Sequence, residues 1–108
     1  MALDSYTFAE INSTAGSDLF FVFHGTGGDE AQFLGLARDL LPQAHVMAPR
    51  GDVSEHGALR YFRRKAEGVY DMDDLAVRTR AMTEFVRAHK ARLSPRRVIG
   101  LGYSNGAN

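Results

Sequence analysis

Five consecutive apolar residues, Leu19-Phe20-Phe21-Val22-Phe23, constrain the fold more than any other stretch of the chain. The run has the length of a strand, and a strand that is apolar at every position buries both faces, whereas a half-exposed strand alternates. A sheet covered by helices on each side supplies that environment. Tyr6 to Ile11 alternates loosely, and Asn12 to Asp18 is rich in Ser, Thr, Asn and Gly, which predicts an N-terminal hairpin leading into the buried strand. Asp29, with Gln32 three positions on, is a capping-box signal. Phe33, Ala37, Leu40 and Leu41 then share one helical face, and Pro42 stops the helix. His45-Val46-Met47-Ala48 reads as a short strand closed by Pro49-Arg50-Gly51, and residues 52 to 70 show no clean period.

Asp71 is expected to cap a second helix, on which Met72, Leu75, Thr79, Met82, Val86 and His89 recur at steps of three and four. Asp73 and Asp74 at its start and Arg87, Lys90 and Arg92 near its end complement the helix dipole. Ser94-Pro95 turns the chain into a third strand, Arg97-Val98-Ile99-Gly100-Leu101-Gly102. Strand, helix, strand, helix, strand at these lengths predicts parallel βαβ units with right-handed crossovers. The expected fold class is therefore α/β: a mostly parallel sheet with an N-terminal hairpin and helices on both faces.

Composition narrows the function. The chain has 108 residues, 13 basic and 13 acidic, so no global field gathers nucleic acid or acidic lipid. It has no cysteine, which excludes a disulfide scaffold and thiolate metal sites. The start, Met1-Ala2-Leu3-Asp4-Ser5-Tyr6, lacks a basic segment followed by an apolar one, and no run approaches the roughly 20 apolar residues of a membrane span. The expectation is a cytoplasmic protein with no nucleic-acid partner.

Gly102-Tyr103-Ser104-Asn105-Gly106 follows the third strand directly and has the G-x-S-x-G form of a nucleophile elbow. That chemistry needs a serine at the tip of a sharp strand-to-helix turn, with flanking glycines that let the two elements pass closely. A Gly-rich turn whose serine caps a helix is the plainer alternative. His24-Gly25-Thr26-Gly27-Gly28 closes the first buried strand. Acyl transfer needs two preorganised amides facing the developing oxyanion, and Thr26 and Asn105 are placed to supply them. A phosphate cradle is the alternative for this loop, but the Gly-Lys-Ser/Thr ending of a P-loop is missing and the G-x-G-x-x-G spacing is not met. Arg60-Tyr61-Phe62-Arg63-Arg64-Lys65 reads either as a single-stranded nucleic-acid contact or as a loop over a pocket, and zero net charge favours the pocket. His24, His45, His56 and His89 all precede Ser104, the wrong order for a general base of this arrangement, and none has a metal-ligand spacing. Neither a metal nor another cofactor is implied.

Phe23-His24-Gly25-Thr26-Gly27-Gly28-Asp29-Glu30, Ala48-Pro49-Arg50-Gly51, Arg60 to Arg64 with Glu67-Gly68-Val69-Tyr70-Asp71, and Gly102 to Gly106 together resemble the carboxylesterase/phospholipase group of α/β-hydrolases. That group is related to acyl-protein thioesterases and dienelactone hydrolases. The resemblance implies a serine hydrolase of small carboxylic esters or thioesters, with Ser104 as nucleophile and the Thr26 and Asn105 amides as oxyanion hole. Phe62 and Tyr103 are then expected at the substrate pocket. Members of the group are about twice this length, with the acidic triad residue and catalytic histidine downstream of the elbow. Residues 1–108 are therefore expected to be the N-terminal part of a single α/β-hydrolase domain, truncated just after the elbow and completed by a complementary C-terminal segment. The other reading is a non-catalytic fragment whose open sheet edge pairs with another chain, a homodimer being one such form.

Overall fold

A computed structural model describes residues 2–13, 17–66 and 68–108. The strands are β1 (Phe8–Ile11), β2 (Leu19–Phe23), β3 (His45–Pro49), β4 (Val53–Glu55), β5 (Ala58–Arg60), β6 (Arg64–Ala66), β7 (Val69–Tyr70) and β8 (Val98–Gly102). The α-helices are α1 (Leu34–Leu40) and α2 (Met72–Leu93), and short 3₁₀ turns cover Ala2–Asp4 and Ser104–Ala107. The main sheet has the order β1-β3-β2-β8, with β2 parallel to both β3 and β8.

The five-residue apolar run is β2, and Leu19 to Val22 are buried along it with β3 on one side and β8 on the other. Its side chains divide between two cores, as the period of a strand requires. Phe20 and Val22 join Val46, Ala48, Ala44 and Ala37 of α1 on one face. Leu19 and Phe21 join Met47, Tyr6 and Phe85 of α2 on the other. Phe85 is fully buried, and the edges of its ring contacts meet Tyr6 at 5.3 Å and Phe8 at 5.7 Å. Helices therefore cover both faces of a mostly parallel sheet, as the sequence pattern requires.

Two sequence-based expectations are corrected. The N-terminal segment is not a hairpin with β2: β1 lies antiparallel to β3, with Phe8 opposite Pro49 and Ile11 opposite Val46. Alternation identifies a strand but carries no information about its partner, and the expected turn falls partly on residues 14–16, outside the described residues. The capping box at Asp29 also does not start α1. Asp29 Oδ1 accepts from the Ala31 amide and Gln32 Oε1 accepts from the Gly25 amide, so both side chains serve the preceding loop, and α1 begins at Leu34. Leu40 consequently lies exposed rather than in the core. Asp71, in contrast, caps α2 by accepting from the Asp74 amide, and Ser94 ends it in a left-handed conformation with φ of 45°.

The aperiodic stretch 52–70 folds into two small antiparallel ribbons, β4-β5 and β6-β7. His56 and Gly57 make the tight turn of the first, both with positive φ, which matches the twist of a two-residue hairpin. β8 is an edge strand. Ile99 and Leu101 pack against the α1-side core, whereas Val98 on the opposite face is 40% exposed.

Candidate active site

The bend after β8 is built by its glycines. Tyr103 is extended and its amide donates to Phe23 O at 3.2 Å; Ser104 then has φ of 53°, a left-handed conformation that non-glycine residues rarely adopt. A Cβ on Gly102 would lie 2.6 Å from Gly106 O and 2.8 Å from Ala107 Cα, and a Cβ on Gly106 would lie 2.5 Å from Phe23 O. Strand and turn pass too closely for any side chain at either position. The serine between them is exposed, and among the described residues its hydroxyl has no hydrogen-bond partner.

The loop after β2 lies against this bend. A Cβ on Gly25 would fall 2.7 Å from the Tyr103 ring and 3.4 Å from the Tyr103 carbonyl oxygen. The loop curls through Gly28, whose amide donates to Gly25 O at 3.0 Å, and through Gly27, whose φ of 83° suits glycine alone. Gly27 in turn donates its amide to Leu59 O at 3.0 Å. The Thr26 amide has no acceptor among the described residues. The Asn105 amide sits in the first turn of the 3₁₀ segment, where a helix offers no internal acceptor.

Residues 59–62 connect the two loops. Tyr61 donates its amide to Asn105 Oδ1 at 2.8 Å, and its hydroxyl donates to Pro49 O at 2.7 Å while accepting from the His24 amide at 3.1 Å. Burial pushes the Tyr61 phenol well above its ordinary pKa, so the hydroxyl keeps the proton it donates. Arg60 is 3% exposed; Nε donates to Phe62 O at 3.0 Å and Nη1 to Thr26 Oγ1 at 2.7 Å. Burial, and next the nearby Arg64, lower the Arg60 pKa, although a guanidinium keeps its charge in proteins. Glu55 approaches Arg60 only to 3.9 Å and is taken by Arg64 at 2.7 Å. The Asn105 side chain is buried, and its Nδ2 is the one buried side-chain nitrogen or oxygen without a partner among the described residues.

The histidines are fixed elsewhere or by other bonds. His24 Nε2 accepts from the Gly51 amide at 2.9 Å and Nδ1–H donates to Gly25 O at 2.7 Å, so both ring nitrogens are engaged in shaping the loop. His45 and His89 belong to the far end of the sheet, His45 pairing with Glu10 and His89 Nε2 donating to Leu3 O at 2.8 Å. His56 occupies the β4-β5 turn.

Of the expected pocket residues, Phe62 is 2% exposed, lies 5.5 Å from the Arg60 guanidinium and meets Tyr70 edge-on at 5.2 Å. It lines a groove of about 470 Å³ with Phe23, Leu75, Met82, Val86 and Val98, and the groove reaches Asn105 and Gly106. Tyr103 lies off that groove, 60% exposed, with its ring edge-on to Phe33 at 5.8 Å. The structure thus brings Ser104, Asn105 and the Thr26 loop together, sets Phe62 beside them, and turns Tyr103 toward α1. Sequence reading missed the roles of Arg60, Tyr61 and the Asn105 carboxamide as connectors. The only signal for them was the Arg60-Tyr61-Phe62 cluster itself.

Comparison with known proteins follows the same lines. No family model matches the chain. Over 93 residues it is 45% identical to MhqD of Bacillus subtilis (strain 168), which carries a provisional hydrolase name; the match covers 84% of this chain and 46% of that protein. It superposes on Atu2452 of Agrobacterium tumefaciens, a protein of unknown function, with a TM-score of 0.94 and 53% identity, covering 100% of this chain and 53% of that one. A carboxylesterase of Bacillus cereus matches with a TM-score of 0.89 and 34% identity over 96% of this chain and 50% of its own. The chain therefore spans about half the length of the relatives it matches.

Proposed function

Given that the chain belongs to the carboxylesterase-like α/β-hydrolases, we propose that it forms the N-terminal half of a serine hydrolase cleaving small carboxylic esters or thioesters. The observation that carries this reading is the left-handed Ser104, exposed between two glycines that admit no side chain, on a bend whose Tyr103 lies against Gly25 of the Thr26 loop. Ser104 Oγ attacks the carbonyl carbon, and the oxyanion that forms is received by the amides of Thr26 and Asn105. A histidine in a C-terminal part takes the hydroxyl proton and delivers it to the departing alcohol or thiol, and an acidic residue orients that histidine. Water then cleaves the acyl-enzyme by the reverse proton path. Phe62 and the apolar groove beside it receive the acyl or aryl group, and Tyr103 borders the approach to the serine. No helix among the described residues is long and apolar enough to cross a membrane.

The test is a fluorophosphonate probe on the whole protein, together with p-nitrophenyl esters of increasing chain length. Labelling should fall on Ser104 and vanish in Ser104→Ala, with turnover reduced by at least about 10³-fold. A serine that stays unlabelled in the complete, folded protein would overturn the reading. It would favour instead a non-catalytic module that pairs through β8, whose edge position and exposed Val98 make it suited to strand addition.

A further inference from the structure

We propose that Arg60 and the side-chain carboxamide of Asn105 are positioning residues for the oxyanion-binding amides, acting through the shared segment 59–62. The inference rests on the ester-hydrolase reading and adds to it the device that sets the spacing of the two donors. Arg60 and Tyr61 are consecutive, yet each reaches a different loop: Arg60 Nη1 holds Thr26 Oγ1 at 2.7 Å, and the Tyr61 amide holds Asn105 Oδ1 at 2.8 Å. The two donors are therefore tied to adjacent residues of one backbone.

That backbone is itself held. A Cβ on Gly51 would lie 2.5 Å from both Arg60 C and O, so the segment rests directly on residue 51. The Gly51 amide donates to His24, and Tyr61 OH accepts from the His24 amide, which closes a ring back to the loop that carries Thr26. Thr26 needs such a tether because it stands between Gly25 and Gly27, where the chain has the most conformational freedom to lose. Arg60 suits the role. Its planar fork spends Nε on Phe62 O and Nη1 on Thr26, a geometry that lysine cannot reproduce. Its nearest carboxylate, Glu55, is 3.9 Å away and committed to Arg64, so its positive field also favours negative charge arising beside Thr26.

The test uses the whole protein, with Arg60→Met, Arg60→Lys, Thr26→Val and Asn105→Leu, each of which keeps both backbone amides. Thr26→Val changes an exposed side chain and so keeps the test open if a buried substitution fails to fold. Arg60→Met should lower kcat by about 10- to 100-fold with KM changed by less than about threefold, because ground-state binding does not use the amides fully. Affinity for an arylboronic acid, which forms a tetrahedral adduct on the serine, should fall in parallel with kcat. Arg60→Lys should recover part of the loss. Thr26→Val should mimic Arg60→Met, and the double variant should be no worse than the worse single one. Unchanged kcat and boronate affinity in folded variants, or losses that multiply in the double variant, would overturn the positioning role while leaving the hydrolase reading intact. A wild-type protein that neither turns over esters nor labels at Ser104 would remove both.

Discussion

Where β2, β3 and β8 finish, the buried joints between loops are hydrogen bonds of the His24 ring, the Tyr61 hydroxyl, the Asn105 carboxamide and backbone amides, with Arg60 as the buried cation among the described residues, and an Arg50–Glu30 ion pair lies at their more exposed side. Where the same strands begin, the joints are carboxylates against cations. Glu10 of β1 pairs with His45 at the start of β3 and accepts from Arg92 Nη2 at 2.7 Å, while Asp18 accepts from Arg97 Nε at 3.0 Å and Arg96 Nε at 3.3 Å. Arg92 Nε also donates to His89 Nδ1 at 3.1 Å. The difference separates two duties. Ion pairs respond to pH and salt; they make the joints where the strands begin, whereas where the strands finish the partly exposed pairs Arg50–Glu30 and Arg64–Glu55 flank joints made by buried hydrogen bonds. The buried joints at the end that carries Ser104 are hydrogen bonds of the His24 ring, the Tyr61 hydroxyl and the Asn105 carboxamide, and the buried charge among them is that of Arg60.

Three changes bear on this contrast, and the largest effect is expected at the end that carries Ser104. Gly106→Ala drives a methyl into the Phe23 carbonyl and should cost about 3 kcal/mol of stability, read as a fall in the urea midpoint, together with loss of Ser104 labelling. A fully stable, labelled Gly106→Ala protein would break the claim that this end is set by backbone clearance.

Next comes acid sensitivity from the charged end. Burial, opposed only in part by the bond to Leu3, lowers the His89 pKa below 6.5. The unfolded chain therefore takes up the proton first, so the stability this residue contributes is complete above about pH 6.5 and is lost as pH falls toward the folded value. Burial works to raise the Glu10 pKa, but hydrogen bonds from Arg92 and His45 outweigh it and hold the carboxylate below 4.5. Its contribution is present above 4.5 and lost as pH falls through the lower folded value. Urea midpoints taken from pH 8 to about pH 2.5 should show the two declines in that order, and His89→Leu should remove the first. A first decline that survives in His89→Leu would assign it to another group.

The smallest effect is expected at Asp18. Its partners Arg96 and Arg97 are largely exposed, so Asp18→Asn should change the urea midpoint only slightly, and 1 M salt should shrink the difference further. A salt-insensitive loss as large as that of Gly106→Ala would erase the distinction between the two ends.

Sequence alone carried the parts of this molecule that depend on neighbours in the chain. The bend at Ser104 was legible because the clearance it needs is created by Gly102 and Gly106, two residues away on either side. β2 was legible because burial on both faces leaves an unbroken apolar run, and α2 because the Asp71 cap and an apolar repeat at steps of three and four along a 22-residue helix leave little alternative. The partner of β1 was not, since pairing with β3 spans the intervening β2 and α1 and leaves no local mark. The roles of Arg60 and Tyr61 were hidden for the same reason: Thr26 lies 34 positions from Arg60, and Asn105 lies 44 positions from Tyr61. Asp29 and Gln32 misled because their side chains accept from the Ala31 and Gly25 amides, within the loop that precedes α1, rather than from the first turn of the helix.

The backbone at position 104 has a consequence for how this chain can change over time. Glycine would rest in that conformation without cost, and any residue with a Cβ is less comfortable there. Under the proposed serine-hydrolase reading, durability and reactivity pull a single codon in opposite directions. A hydroxyl at this place sits against the preference of the backbone, a cost that the proposed nucleophile would account for.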